Sequence, residues 1–456
     1  MSTTIRLRKG LSVPLQGEAD KVLVKARQAK IIVIKPGDFR GVTPKLLVKE
    51  GDIVMAGTPV MADKYRPEIQ FTAPVGGSIA AIVRGEKRKL LEIRIAPNPD
   101  AEKMQFPVAK PDSLNKEEVT AILLQSGCWP YLKQRPYGII PNPADTPKGI
   151  FISGFDSAPL APDMEFVLKG QEDDLQMGIE VLRRLAPVGG IHLSILSQTP
   201  TNSPLRKLRN VQLHNFEGPH PAGNVGIQIH HIAPMSKGET AWTIDPQSVV
   251  VIGRLFRTGY LDSRRIYALT GPGALVPCYI KAYPGTPIAE LPRMGMPNND
   301  MRYVSGNCLT GDNVGYEGAL GFYHQQITVL SEGNYHEFIG WVLPYRKNKF
   351  SVSHSYFNWL IDKVFPKQRY ALDTNTNGGL RAFVLPQVYS KVLPMDIYPC
   401  HLLKAILAED IDNMEALGIY EVIEEDFALC EFVCPSKIEI QAIISKGIDL
   451  MIKEMS

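Results

Sequence analysis

Two strand–turn–strand units within the first eighty residues constrain this chain most. Val48-Lys49-Glu50-Gly51-Asp52-Ile53-Val54 sets a Gly-Asp turn between two short strands. Phe71-Thr72-Ala73-Pro74-Val75-Gly76-Gly77-Ser78-Ile79 repeats the device around Pro and paired Gly. Ile31-Ile32-Val33-Ile34, closed by Pro36-Gly37, adds a short buried-strand run. Short strands at this spacing pack as a small sandwich or barrel. The 38 Gly and 36 Pro among 456 residues favour tight turns over a helical bundle along the chain as a whole.

Composition excludes several classes. Hydrophobic residues at 44% and charged residues at 21% fit a globular chain and rule out a wholly disordered, collagen-like or coiled-coil one. A net charge of +3 gives no basic footprint for nucleic acid. No apolar run reaches the ~18–20 residues of a membrane span, and MSTTIRLRKGLSVPL lacks the apolar core of a signal peptide. Six Cys (Cys128, Cys278, Cys308, Cys400, Cys430, Cys434) are too few for a disulfide scaffold and point to reduced thiols.

Beyond residue 110 the pattern changes. Lys116–Gln125 and Leu175–Leu185 carry helical periodicity, while Gly149–Gly154 and Ile191–Leu196 read as buried strands. That alternation predicts an α/β layer with parallel strands. Ser263–Gly273 reads as a strand running into a Gly-rich turn, and more short strands follow to about His336. From about Trp341 the chain reads as mostly helical. It ends on a stripe of Ile440, Ile444, Ile448, Met451 and Ile452, which at helical spacing is a core face.

The chemistry-bearing motifs are sparse. Neither a P-loop nor a G-x-G-x-x-G between strand and helix is present, so an autonomous dehydrogenase is not expected. His214, His220, His230 and His231 crowd one segment, but Glu217 is its only acid. The Gly/Pro content there predicts a sharply folded loop whose imidazoles bond to backbone, and no metal is assigned. Cys430-x3-Cys434-Pro435 matches the closing half of a bacterial ferredoxin run, yet the two earlier ligand positions hold Glu424 and Phe427. Two ordinary thiols one helical turn apart explain it equally well.

VKEGDIVMAGTPV…FTAPVGGSIAAI resembles the barrel-sandwich hybrid fold of lipoyl and biotinyl domains, with Lys64 where an attachment lysine would sit. Ten residues separate Lys64 from Pro74, long for such a hairpin, and a surface lysine is the simpler reading. A wider resemblance spans nearly the whole chain. Its anchors are Ile5–Pro14, Phe71–Pro74 with Val83–Arg88, Gly218–Gly223, Gly340–Pro344, Leu393–Ile397 and Ala428–Pro435. In that order they resemble the A subunits of bacterial sodium-translocating NADH:quinone oxidoreductases. More distant likenesses are to the C subunits of Rnf complexes and the flavoprotein subunits of complex I.

The resemblance implies an α+β chain of four units. These are a β-rich barrel-sandwich-like unit (1–105), an α/β unit with a vestigial flavin site (106–255), a small β-grasp-like module (256–340), and a helical unit resembling a degenerate ferredoxin-type domain (341–456). The distant relatives' flavin loop falls at Ser126-Gly127-Cys128-Trp129-Pro130-Tyr131, where most glycines are gone. Their acidic strand end falls at Ser153–Pro159, without either Glu. Their first cluster motif falls at Phe383, Pro386, Tyr389 and Leu393, none of them Cys.

A cofactor-free peripheral subunit is therefore implied, on the cytoplasmic face of the bacterial inner membrane. It would sit in an assembly of six subunits whose other members carry flavins, iron–sulfur and NADH. No catalytic residue is assigned. Quinone is the implied ligand, with an emptied flavin cavity of Trp129, Phe155, Asp156 and His220 as its expected site. The apolar loop Lys35–Val42, with Phe39, is the competing location. An Rnf-type electron carrier and a biotinyl or lipoyl carrier are the rival functions.

Overall fold

The computed structural model describes residues 4–455 except 297, 338–345, 347–348, 353–357, 366–367 and 385–386. The anchor at 340–344, the expected boundary at 340/341, and Pro386 lie outside the described residues.

The barrel-sandwich unit is two small facing sheets. One is four-stranded, Ile32–Ile34, Leu90–Pro97, Gly77–Arg84 and Ile53–Val54 in spatial order; the other has Pro59–Asp63 between Pro44–Leu46 and Gln70–Thr72. Ile32, Val60, Met61, Phe71, Ile79, Ile93 and Ile95 fill the space between them. Both predicted turns are present, Gly51 taking a φ of 89° that only glycine adopts without strain.

The α/β unit is built on a six-stranded sheet, ordered Thr4–Arg6, Gln212–Glu217, Ile191–Leu196, Ile150–Ser153, Ala241–Thr243, Lys133–Arg135. Its strands are parallel except at the last pair. Lys116–Gln125 is helical and opened by a capping box, Asn115 accepting the Glu118 N–H while Glu118 reaches back to the Asn115 N–H. Helices Glu172–Leu185 and Pro246–Thr258 pack unusually close. A Cβ on Gly253 would lie 1.7 Å from Asp174 O, and one on Gly178 would lie 2.2 Å from Val249 O. The apolar run Ser248–Gly253 thus forms a buried helix face, capped by Asp245 and stopped by left-handed Gly259.

A second six-stranded sheet orders Asp312–Asn313, Met301–Ser305, Gln326–Ser331, Arg265–Thr270, Cys278–Ala282 and Asp20–Lys25. Two strands from the first 105 residues pair outside the two small facing sheets. Thr4–Arg6 edges the α/β sheet and Asp20–Lys25 edges the second sheet. Strands of three to six residues bear too little alternation to say which sheet they join.

The helices described in the C-terminal part are Asn358–Val364, Tyr389–Val392, Pro399–Leu407, Ile411–Ala416, Ala428–Phe432 and Ile440–Met455. Ile440, Ile444, Ile448 and Met451 are fully buried and Ile452 half-buried, as the stripe predicts. No helix among the described residues is long and apolar enough to cross a membrane.

Candidate functional site

The parallel sheet fixes where a cavity can open. From Ile150–Ser153 the chain runs outward to one side through Ile191–Leu196 and Gln212–Glu217, then returns to the other side as Ala241–Thr243. The strand order reverses there, and the crevice beyond the carboxyl ends of the two diverging strands is where open α/β sheets take ligands. A cavity of about 460 Å³ occupies that place. Ser153 ends one strand, with Phe155 and Asp156 after it, and Thr243 ends the other, with Ile244 and Asp245 after it. The remaining walls bring Lys133 and Arg135 from the antiparallel edge, His220 from a loop, Tyr323 and His324 from the loop that leads into the second-sheet strand Gln326–Ser331, and Glu424 and Glu425 from the C-terminal part.

Two imidazoles face this cavity in matching arrangements. His220 Nδ1 lies 3.0 Å from Ser157 Oγ, which accepts the Gly223 N–H at 2.7 Å. His324 Nδ1 lies 2.9 Å from Ser305 Oγ, which accepts the Gly321 N–H at 2.9 Å. Burial depresses both to about 4, so both are neutral near pH 7. Asp156 is open to the cavity but enclosed by protein, and that desolvation raises its pKa against the opposing N–H groups of Ala158 and Ser157. Burial lowers Lys133, whose Nζ sits 3.7 Å from the Tyr323 ring centroid. Arg135 is spoken for: its Nη1 bonds Asp426 at 2.7 Å and its Nη2 bonds Glu425 at 2.6 Å.

Of the residues expected at an emptied flavin cavity, Phe155, Asp156 and His220 line this cavity together and Trp129 does not. Trp129 is fully buried, edge-on to Trp242 at 5.4 Å, with its Nε1–H given to Pro141 O. It supports the floor of the α/β unit and does not line the cavity. Tyr131, two residues on, lines it and stacks on Phe322 at 4.9 Å. A 3₁₀ turn over Trp129–Tyr131 sends the two rings to different sides. Phe39 is also buried, against Phe71 and Phe322, and lines a smaller cavity of about 40 Å³. Asp38, Tyr131 and Phe322 line both spaces, so the two locations expected as rivals are neighbours. Sequence reasoning missed Lys133, His324, Tyr323 and Asp245, which come from segments far apart in the chain.

The histidine-rich segment is not one loop. His214 lies on the strand Gln212–Glu217, paired with His192 at 3.0 Å, and His230 and His231 lie on the helix Val225–Ile232. His231 does bond backbone, at Pro394 O (2.9 Å), whereas His230 meets the Glu421 carboxylate at 2.7 Å. Among the described residues no group of three or more His, Cys, Asp or Glu could hold a metal ion. At the degenerate ferredoxin motif, Tyr389 Oη lies 2.9 Å from Cys434 Sγ. The motif supplies two Cys, Cys430 and Cys434, where a cubane takes four thiolates, and Glu424 and Phe427 hold the two earlier ligand positions, so these side chains do not fit an iron–sulfur centre.

A barrel-sandwich unit joined to a parallel α/β sheet with a ligand-sized strand-end cavity defines a mixed α+β protein of the multi-unit kind. Residues 5–98 match the family description "NqrA N-terminal barrel-sandwich hybrid domain", and residues 114–261 match "NqrA second alpha/beta domain". The A subunit of the Na(+)-translocating NADH-quinone reductase of Haemophilus influenzae strain PittGG is 37% identical over 457 residues, covering 99% of this chain and 100% of that protein. Its counterpart in Neisseria meningitidis serogroup C is 37% identical over 455 residues, with the same coverage. The chain belongs to this family, the A subunits of Na(+)-translocating NADH-quinone reductases. Among solved structures, an NAD+-reducing NiFe-hydrogenase in the H2-reduced state is 12% identical, covers 75% of this chain and 64% of its own, and has a TM-score of 0.38.

Proposed function

We propose that this chain is a cofactor-free, peripheral subunit of a sodium-pumping NADH:quinone reductase built from six subunits. It supports reduction of quinone to quinol on the cytoplasmic face of the inner membrane. Flavins, iron–sulfur and NADH belong to its partners, and the isolated chain has no turnover. The units divide as barrel-sandwich, α/β with a vestigial flavin site, β-grasp-like second sheet, and degenerate cluster domain.

The observation that carries the quinone reading is the strand-end cavity. Phe155, Tyr131 and Tyr323 supply ring faces, and His220 and His324 supply neutral imidazoles. A neutral imidazole donates a hydrogen bond to a carbonyl oxygen without fixing a charge there. The raised Asp156 carboxyl is suited to exchange a proton with a reduced quinone oxygen. The small apolar cavity beside Phe39 extends the same site toward an isoprenoid-like substituent.

The test is retrieval of the tagged chain from gently solubilised native membranes. Co-purification of a flavin-rich complex with sodium-stimulated NADH-to-quinone activity is expected. A colourless chain recovered alone, with intact complexes shown in the same membranes, overturns the reading. The electron-carrier rival predicts iron in the purified chain.

A further inference from the structure

A second large cleft, which shares no lining residue with the strand-end cavity, lies between the barrel-sandwich unit and the second-sheet strands Asp20–Lys25 and Cys278–Ala282. Its volume is about 640 Å³, within the range of small-molecule sites. Its charge is opposite in sign. Lys25, Arg27, Lys103, Arg264 and Lys281 line it, while Asp262 is the one carboxylate among the described lining residues. The strand-end cavity, by contrast, is lined by Asp38, Asp156, Asp245, Asp312, Glu424 and Glu425.

Asp262 is already used. Its Oδ1 accepts from Arg264 Nε at 2.8 Å, and its Oδ2 lies 2.6 Å from Arg264 Nη2 and 3.3 Å from Arg254 Nη1. Lys25, Arg27, Lys103 and Lys281 make no salt bridge with any described residue. The acids nearest in sequence, Asp100 and Glu102, alternate with the lining residues Pro99, Ala101 and Lys103 and do not line the cleft. Lys281 is half-buried, and desolvation followed by the Arg264 and Arg254 charges makes its ammonium harder to hold. Lys25, Arg27 and Lys103 are exposed at the same cleft, and cations that share a concave space attract an anion to it. Tyr283 adds a ring beside Arg264, at 5.9 Å.

We infer that this cleft binds a phosphate-bearing ligand, with Lys25, Arg27, Lys103 and Lys281 as its cations. The site is independent of the quinone reading. The phosphate groups come either from a soluble polyphosphate compound or from an anionic lipid headgroup.

The test is titration of the full chain with inorganic tripolyphosphate in low-salt buffer, followed by calorimetry. Saturable one-to-one binding that weakens with salt is expected. Lys281→Gln and Arg27→Gln should each weaken it by about tenfold, equivalent to about 1.4 kcal/mol. Lys169→Gln, on an exposed lysine that does not line the cleft, should leave it unchanged, with all variants melting like the parent. Sedimentation with phosphatidylglycerol vesicles, competed by tripolyphosphate, would assign the same site to a lipid headgroup; no sedimentation would assign it to a soluble compound. Absence of saturable binding overturns the inference, as does equal weakening by Lys169→Gln and Lys281→Gln.

Discussion

Arg135 and Asp426, 291 positions apart, form a fully buried ion pair, Nη1 to Oδ2 at 2.7 Å. It ties the edge of the α/β sheet to the C-terminal helical part at the wall of the strand-end cavity. Asp426 also accepts the Ile423 N–H at 3.0 Å, so one carboxylate both shapes its own turn and holds a distant strand.

Removing Arg135 leaves the Asp426 carboxylate buried without its cation, whereas removing the Asp426 charge leaves Arg135 its bond to Glu425. Arg135→Met should cost about 3–5 kcal/mol, Asp426→Asn less, and the double replacement less than the sum. Urea unfolding of the four proteins measures the coupling. Additive losses would show that the pair does not act as a unit.

Gly253→Ala should destabilise strongly although alanine is the better helix former. The added Cβ would meet the Asp174 carbonyl, which belongs to the backbone of the facing helix and cannot swing aside. Overpacking of this kind costs about 1–3 kcal/mol or more. A melting temperature equal to that of the parent would contradict the close approach of the two helices.

His220 predicts an acid limb of stability. Its pKa falls from 6.5 to about 4 on folding because burial disfavours the imidazolium. Between those values the unfolded chain holds the proton and the folded chain does not. Stability should therefore fall as pH drops from 6.5 toward 4 and level off below, by on the order of 3 kcal/mol from this residue. His192, also depressed to about 4, adds to the slope. His220→Gln should remove its share, read as melting temperature against pH.

Phe155→Ala and Asp156→Asn should weaken quinone binding by several-fold in a chain that still folds, whereas Trp129→Phe should lower stability and leave quinone affinity unchanged. Fluorescence titration with a short-chain quinone distinguishes them. Equal effects at Trp129 and Asp156 would mean that quinone binds elsewhere than in the strand-end cavity.

Lys64 should carry no prosthetic group. It follows the strand Pro59–Asp63, with its N–H given to Thr43 O and its ammonium 5.5 Å from the Tyr65 ring centroid. The intact mass should equal that of the unmodified sequence. A biotinyl or lipoyl increment would reopen the carrier reading.

Local chemistry made much of this legible. The Gly-Asp turn at 51–52, the capped helix from Lys116, the parallel strands at 150 and 191, and the terminal isoleucine stripe follow from turn residues and periodicity within short windows. Phe155, Asp156 and His220 could be placed at one site because a family resemblance aligned their segments. The membership of Thr4–Arg6 and Asp20–Lys25 in other sheets could not be read, since short edge strands carry no signal for their partners. Nor could the opposite fates of Trp129 and Tyr131, which one 3₁₀ turn decides. The order of residues alone thus dictated the local elements, the lack of phosphate-loop motifs and the family. Which charges gather was settled by folding, because Lys133, His324 and Glu425, or Arg27 and Lys281, meet across folded distances that no window of sequence spans.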